Sequence, residues 1–167
     1  MPPLVVLVGP PGSGKSTVGR AVARRLGVHF RDTDTDVEMV TGKRIGDIFV
    51  EDGEERFRVL EREAVRRAID EHDGVLALGG GAVLDGETRT LLATQRVVYL
   101  SVDHATAFDR VGMSKARPLI AVNPRAELRR LLDERRPLYE EVATTVVDTG
   151  GRAEGDVVDD VVQAVSR

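Results

Sequence analysis

The sequence has no cysteine, no tryptophan and few other aromatic residues, with four Phe and two Tyr among 167 residues. The absence of cysteine excludes disulfides, thiol catalysis and thiolate–zinc sites. Because aromatic side chains are scarce, valine, leucine, isoleucine and alanine must fill the core. A chain of this length can bury enough apolar surface for a compact domain. We therefore predict one domain spanning residues 1–167.

The chain also lacks an excess of positive charge, since 24 Lys and Arg stand against 28 Asp and Glu, for a net charge of −4. Nucleic acids and anionic membranes are bound through basic surfaces, so neither partner is expected. An anionic small molecule would have to be held by a few local cations.

A long hydrophobic run is missing as well. The first residues, MPPLVVLVG, contain no basic stretch. Their apolar run is too short for a signal peptide or a membrane span. The sequence therefore predicts a soluble, cytoplasmic protein.

Short apolar segments alternate with helical patterns along the chain. These segments lie at 4–8, 28–30, 75–78, 97–102 and 144–148. The alternation predicts an α/β fold with right-handed crossovers and a mostly parallel sheet covered by helices on both faces. The segment 110–127, RVGMSKARPLIAVNPRAE, has no core pattern. Long irregular segments in compact domains are often functional, and we interpret this one as a lid.

The stretch GPPGSGKST, residues 9–17, follows the first predicted strand and precedes a helical pattern. It fits the phosphate-loop motif, in which glycines let backbone N–H groups surround phosphate oxygens at the start of a helix. The lysine reaches the β- and γ-phosphates, and the following hydroxyl binds Mg²⁺. A nucleoside triphosphate is therefore expected to contact Gly12, Ser13, Gly14, Lys15, Ser16 and Thr17.

Many phosphate-loop proteins hold Mg²⁺ through an acid at the end of another apolar strand. Here the strand within 74–84 ends in three glycines, and Asp103 stands before a helical pattern, where it is interpreted as a helix cap. The remaining source of acid is DTDTD, residues 32–36. Asp32, at the end of the second strand, is predicted to join Ser16 in serving Mg²⁺ through water.

The other two acids of this stretch have different predicted roles. Asp34 follows Asp32 by two positions, which places both on one side of an extended chain and puts Asp34 nearer to a second substrate. Asp36 is predicted to cap or charge the first turn of the next helix. Solvated acids at the end of a strand are the alternative interpretation of Asp32 and Asp34.

Two helical patterns carry arginines. In GEERFRVLEREAVRRAIDEH, residues 53–72, Glu61 falls within an apolar arc and Arg58 is its partner, which leaves either a carboxylate-binding arginine or a structural ion pair. In ELRRLLDERRPLYEEVA, residues 127–143, the leucines place Arg135 inward and Arg136 at the flank. The three glycines at 79–81 provide either bare backbone for a ligand or a tight turn.

Together these features resemble the shikimate kinases, over nearly the whole chain. The matching segments are GPPGSGKST, DTD at 32–34, IGDIFVEDGEERFRVLE, LGGGAV, RPLI, RRPLYEEVA and VDT at 147–149. The resemblance implies a three-layer P-loop kinase fold with a five-stranded parallel sheet of order 2-3-1-4-5. It also implies a substrate-binding region near 33–61, a lid near 112–124 and a monomer. The implied reaction is phosphorylation of the shikimate 3-hydroxyl by MgATP, on the route to chorismate and aromatic amino acids.

The resemblance also assigns residues. Asp34 would contact the reacting hydroxyl, while Arg117 with Lys15 would neutralise phosphate charge. The implied acceptor-binding set is Asp34, Arg58, Glu61, Gly79, Gly80, Gly81 and Arg135, and the nucleotide set gains Arg110, Arg117 and Arg152. The family often has proline where this chain has Glu154, which predicts a more flexible adenine loop.

Three other classes of protein share some of these features. Gluconate kinases share the phosphate loop and also take a polyhydroxy carboxylate, but the DTD, GEERFR and GGG segments favour shikimate. Nucleoside monophosphate kinases would need further phosphate-directed arginines for a second nucleotide. A nucleotide-dependent switch would need a base-reading motif such as N-K-x-D, which the sequence lacks.

Overall fold

The computed structural model describes residues 2–111 and 124–166. Its strands are β1 (Val5–Val8), β2 (Phe30–Asp32), β3 (Val75–Ala77), β4 (Val97–Ser101) and β5 (Thr145–Asp148). Its helices are α1 (Lys15–Leu26), α2 (Thr33–Thr41), α3 (Ile45–Glu51), α4 (Glu54–Glu71), α5 (Gly86–Leu92), α6 (His104–Val111), α7 (Pro124–Val142) and α8 (Glu154–Ser166). A short 3₁₀ turn, Ala82–Leu84, follows β3.

The five strands form one parallel sheet of order β2-β3-β1-β4-β5, which confirms the predicted α/β fold and strand order. β1 is central, and its Leu7 is paired with Ala77 of β3 on one side and Val98 of β4 on the other. Because all strands are parallel, their carboxyl ends meet at one edge, where ligands of such sheets bind.

Helices cover both faces of the sheet because successive β1 side chains point to opposite faces. Val5 and Leu7 pack in a core with residues of α1 and α8, whereas Val6 and Val8 pack with residues of α4, α5 and α7. These β1 side chains are at most 1% exposed. The hydrophobic effect on both faces therefore holds the strand that leads into the phosphate loop.

A smaller cluster stabilises the predicted substrate-binding region, residues 33–61, which comprises α2, α3 and the first part of α4. Its buried members are Val37, Ile45, Ile48, Phe57 and Ala64. The Glu38 side chain accepts a hydrogen bond of 3.0 Å from the Ile45 backbone N–H and so supports the start of α3. This region packs as a satellite of the main core, and its substrate-binding role stays a prediction.

The predicted lid at 112–124 lies outside the described residues, apart from Pro124 at the start of α7, and so does Arg117. Helices α6 and α7, which precede and follow this segment in the sequence, contribute Ala107, Leu128 and Leu132 to a cluster with Val102. Asp103 is confirmed as the cap of α6, because its carboxylate accepts 2.7 Å and 2.8 Å hydrogen bonds from the Thr106 N–H and hydroxyl.

Two details of the acidic stretch differ from the prediction. Helix α2 begins at Thr33, so Asp34 lies in a helical first turn and not in an extended chain. The cap of α2 is Asp32, whose Oδ1 accepts a 2.9 Å hydrogen bond from the Asp34 N–H. Of the two roles predicted for Asp36, the cap is therefore wrong and the charge in the first turn is confirmed; its carboxylate pairs at 2.7 Å with Arg31.

In the described part of the chain, no helix combines the length and the apolar character that crossing a bilayer requires.

Candidate active site

The phosphate loop connects β1 to α1 at the carboxyl edge of the sheet. Gly14, at φ 89°, adopts a left-handed conformation that other residues rarely accept, and α1 starts at the next residue. The Lys15 ammonium group donates hydrogen bonds to the carbonyls of Gly9 at 2.8 Å and Pro10 at 3.1 Å. The loop thus presents a helix N-terminus and a lysine at one place, a combination suited to phosphate.

The proposed metal-binding residues lie together. The Ser16 hydroxyl donates a 3.0 Å hydrogen bond to Oδ2 of Asp32, although the two residues come from α1 and β2. A hydroxyl and a carboxylate are hard oxygen donors, which fits Mg²⁺, an ion that keeps several waters and takes few protein ligands. Residues 2–111 and 124–166 contain no cluster of three or more acidic or histidine side chains placed to hold a metal ion.

A cavity of about 280 Å³ joins the separate motifs. It is lined by Pro11, Gly12, Gly14, Lys15, Ser16, Thr17, Asp32, Asp34, Leu78 and Gly80. The phosphate loop, the acidic pair and the triple glycine thus line one space, although they are far apart in the sequence. The prediction that Asp32 and Asp34 lie on one side is correct in outcome, because the helical turn at Thr33 also directs both toward this cavity.

The triple glycine, Gly79–Gly81, permits close approach of neighbouring side chains. A Cβ atom on Gly79 would lie 2.6 Å from Oδ1 of Asp34 and 2.7 Å from Oε2 of Glu61, and one on Gly81 would overlap the Arg58 guanidinium. Any larger residue would displace these charged groups. Gly79 is therefore required by packing against Asp34 and Glu61, and Gly81 by packing against Arg58.

The Arg58–Glu61 pair predicted from helical spacing is present, with Nη1 2.8 Å from Oε1. The Glu61 side chain is 4% exposed and that of Arg58 is 17% exposed. Arg58 also lies 3.4 Å from Glu54, and its guanidinium stands over the Phe57 ring at 5.3 Å. Its buried Nε has no hydrogen-bond acceptor in the described part of the chain. A largely buried, oriented guanidinium with a remaining donor is suited to a carboxylate ligand.

The helical count for α7 predicted the inward arginine correctly. Arg135 is 5% exposed, whereas the side chain of Arg136 is 51% exposed. Arg135 lies on the same face as Leu128, Leu131 and Leu132, which are also buried. Its role toward a substrate carboxylate stays a prediction.

A second cavity, of about 320 Å³, adjoins the first, and Gly14 and Thr17 line both. Its lining residues are Ser13, Gly14, Thr17, Val18, Arg110, Thr149, Arg152, Glu154 and Val157. Arg110 donates hydrogen bonds to the Gly12 carbonyl at 2.9 Å and to both oxygens of Thr149 at 3.2 Å. Arg110 and Arg152 therefore line one cavity beside the phosphate loop, and Glu154 begins α8 at the same cavity. That the two arginines flank a nucleotide stays a prediction.

Sequence reasoning missed three residues that shape these cavities. Thr149 holds Arg110, Thr33 accepts a 3.3 Å hydrogen bond from the Gly79 N–H, and Tyr139 donates one of 2.5 Å to the Gly80 carbonyl. All three lie inside segments that carried the resemblance, namely VDT, DTD and RRPLY. The sequence shows that these three residues carry hydroxyl groups. Only the fold shows which groups those hydroxyls contact.

Comparisons with known proteins agree with this geometry. A family model described as shikimate kinase matches residues 11–166. A shikimate kinase of Streptomyces coelicolor is 58% identical over 163 residues, covering 98% of this chain and 95% of the relative. The solved structure of a shikimate kinase from Acinetobacter baumannii in complex with shikimate is 39% identical and has a TM-score of 0.94, with 99% of this chain and 93% of that chain covered.

A gluconokinase from Sinorhizobium meliloti superimposes with a TM-score of 0.62 at 19% identity, covering 99% of this chain and 93% of that chain, which shows a shared fold alone. The fold and the phosphate loop define a P-loop kinase that acts on a small molecule. Within that class, the chain belongs to the shikimate kinase family. The resemblance found from the sequence is thereby confirmed.

Proposed function

We propose that this chain transfers the γ-phosphoryl group of ATP to the 3-hydroxyl of shikimate, giving shikimate 3-phosphate and ADP. The observation that carries the proposal is the convergence of Asp34, Glu61 and Arg58 on the triple glycine, at the edge of the phosphate-loop cavity. An acceptor with one carboxylate and several hydroxyls matches a site that offers both a guanidinium and a carboxylate.

The acceptor carboxylate is assigned to Arg58, with Arg135 as the second cation. Arg58 is already oriented by Glu61, so little side-chain entropy is lost when a ligand carboxylate binds. Glu61 thereby acts on the substrate through Arg58. The ring hydroxyls are assigned to Asp34 and to the backbone of Gly79, Gly80 and Gly81.

The nucleotide is assigned to the two adjoining cavities. Backbone N–H groups of the phosphate loop and the start of α1 bind the phosphates, with contributions from Ser13 and Thr17. Lys15 exchanges its two carbonyl acceptors for phosphate oxygens. Arg110 and Arg152 flank the nucleotide in the second cavity, and Arg117, outside the described residues, is proposed to bind the phosphates.

Mg²⁺ is proposed as the cofactor, and Ser16 and Asp32 are the residues that would hold it. When bound, the ion neutralises charge on the phosphates. Both Asp32 oxygens accept hydrogen bonds in this structure, from Ser16 and from the Asp34 N–H. These hydrogen bonds distinguish the proposed roles of the two acids. Asp32 is held in place for the metal, whereas Asp34 lies against Gly79.

Asp34 orients the acceptor hydroxyl and takes up its proton as the new oxygen–phosphorus bond forms and the bond to the β-phosphate oxygen breaks. Phosphoryl transfer passes through a loose, in-line transition state, so alignment and charge neutralisation contribute most of the rate. Lys15 and Arg117 are the proposed cations on the transferring group.

The test is release of ADP from MgATP, measured by a coupled assay without acceptor, with shikimate and with gluconate. Turnover that requires shikimate and is lost in Asp34→Asn supports the proposal. Turnover with gluconate alone would retain the P-loop kinase class but reject the acceptor assignment. If ADP is released at the same rate with and without an acceptor, phosphoryl transfer is rejected for both shikimate and gluconate. A monomeric state and a cytoplasmic location are proposed with this function.

A further inference from the structure

We propose that Thr33 and Tyr139 are positioning residues that fix the triple glycine at the Gly79 N–H and at the Gly80 carbonyl, so that the N–H groups of Gly80 and Gly81 are aligned for the acceptor. The proposal rests on the proposed function above for the identity of the acceptor. Neither hydroxyl belongs to the charged groups assigned to substrate or nucleotide. Both act on the same short backbone segment, which has no side chains to hold it.

The first anchor comes from α2. Thr33 is fully buried, and its Oγ1 accepts the 3.3 Å hydrogen bond from the Gly79 N–H across 46 residues of sequence. Thr33 also stands between Asp32 and Asp34. The same turn that places the metal-binding acid and the acceptor acid therefore ties them to the glycine backbone.

The second anchor comes from α7. The Tyr139 hydroxyl donates a 2.5 Å hydrogen bond to the Gly80 carbonyl, and Tyr139 is only 1% exposed. Its ring stacks on that of Tyr99 in β4, with centroids 5.0 Å apart and an interplanar angle of 28°. Because packing restrains the ring, the hydroxyl is already directed at the Gly80 carbonyl, and the contact is preorganised.

The other N–H and carbonyl groups of Gly79–Gly81 show which hydrogen-bond donors remain available to a ligand. The Gly79 carbonyl accepts a hydrogen bond from Ala82 N–H and the Gly81 carbonyl accepts one from Leu84 N–H, each at 3.1 Å. The Gly80 and Gly81 N–H groups donate to no acceptor within residues 2–111 and 124–166. Gly81 lies against Arg58, and Gly80 lines the phosphate-loop cavity together with Asp34, where oxygen atoms of an acceptor are expected.

Glycine has a wide range of accessible backbone conformations, so three in succession are poorly ordered unless neighbours restrain them. Ordering a segment on binding weakens affinity, and restraint in advance strengthens it. Removing one anchor should therefore weaken acceptor binding while leaving the phosphate loop and the charged groups in place.

The variants are Thr33→Val and Tyr139→Phe, which remove one hydroxyl each with little change in volume. Each is expected to raise the KM for shikimate about five- to tenfold, the effect of one hydrogen bond, with less than about a twofold change in kcat or in the KM for ATP. Because both anchors hold one segment, the double variant should raise KM by less than the product of the single effects.

The matched controls are Tyr99→Phe and Thr41→Val. Tyr99→Phe keeps the stacked ring and removes a hydroxyl next to Arg136, whereas Thr41→Val removes a hydroxyl that bonds to the Val37 carbonyl at the far end of α2. Both should leave the KM for shikimate unchanged. If the controls raise it as much as the anchor variants do, or if neither anchor variant raises it, the positioning role is wrong.

A readout without substrate separates this inference from the proposed function. The exchange of the Gly79 amide proton with solvent, measured by NMR on the whole chain, should accelerate in Thr33→Val and remain unchanged in Thr41→Val. Unchanged exchange in Thr33→Val would overturn the anchor even if the enzyme phosphorylates shikimate. If the Gly79 amide exchanges faster in Thr33→Val but the protein does not phosphorylate shikimate, Thr33 remains an anchor of the glycine segment and shikimate is rejected as the acceptor.

Discussion

Arg58 and Glu61 form an ion pair of 2.8 Å between successive turns of α4, and the carboxylate of the pair is almost completely buried. A buried acid without a cation would be costly, so each group stabilises the charged form of the other. The pair also fixes the plane of the guanidinium beside Gly81. A single relationship thus explains both a polar residue in an apolar arc and the orientation of the guanidinium that is proposed to bind the substrate.

The first prediction concerns this guanidinium. Arg58→Ala should raise the KM for shikimate about 100-fold, because the variant loses roughly 3 kcal/mol of interaction with the carboxylate. Arg66→Ala is the control, since Arg66 is on the same helix, is 63% exposed and pairs only with Glu63 among the described residues. Steady-state kinetics at saturating MgATP measure both. A normal KM in Arg58→Ala would leave the pair with a structural role alone.

The second prediction concerns the acceptor acid. Asp34→Asn should lower kcat about 100-fold or more, because the amide keeps the shape of the side chain but cannot take up a proton. Asp36→Asn is the control from the same helix, where the carboxylate pairs with Arg31 and faces away from the cavity lining. Thermal unfolding of both variants shows whether the fold is retained. Near-normal turnover in Asp34→Asn contradicts its assignment.

The third prediction concerns the metal. Ser16→Ala and Asp32→Asn should each raise the Mg²⁺ concentration required for half-maximal activity. The first variant removes the hydroxyl and the second removes the negative charge of the carboxylate that lies 3.0 Å from it. Thr17→Ser is the control, because it keeps the neighbouring hydroxyl within the phosphate loop. The measurement is a Mg²⁺ titration at fixed ATP. Equal metal requirements in the wild type and in both variants would exclude this pair from metal binding.

The strand order was expected only through the resemblance to the shikimate kinases. The phosphate loop, the Arg58–Glu61 pair and the inward Arg135 were predictable from the residues themselves, because each depends on local periodicity or on a motif with fixed spacing. The start of α2 was not. Thr33 and Asp34 have modest helix propensity, and an extended chain through Asp34 was the simpler expectation. The structure shows that Asp32 accepts the Asp34 N–H, and this cap starts the helix earlier than the apolar pattern does.

The contacts of the triple glycine were also outside the reach of sequence reasoning. Glycine carries no side chain that reports its neighbours, and the contact between Tyr139 and Gly80 joins residues 59 positions apart. Helix α7 continues through Pro137, although proline removes a backbone donor and often ends a helix. Burial of Tyr139 and Val142 in the core beyond Pro137 supports the helix there.

The last prediction concerns the pH dependence of stability at α6. Hydrogen bonds from the Thr106 backbone N–H and hydroxyl hold the pKa of Asp103 below its ordinary value of 3.8. A carboxylate whose pKa is lower in the folded state stabilises the fold above the unfolded pKa, and this contribution is lost as the pH falls through the folded pKa. Asp103→Ala should therefore lower the free energy of unfolding at neutral pH.

The difference between Asp103→Ala and the wild type should shrink as the pH falls below the unfolded pKa of 3.8 and through the lower folded pKa, because the wild-type carboxylate is then increasingly protonated. Urea unfolding of both proteins at a series of pH values from neutral downward measures this difference in the free energy of unfolding. Asp109→Ala, an exposed acid on the same helix that does not cap it, is the matched control and should show a smaller loss at neutral pH. A difference that is constant with pH would mean that Asp103 stabilises α6 through packing and not through its charged cap.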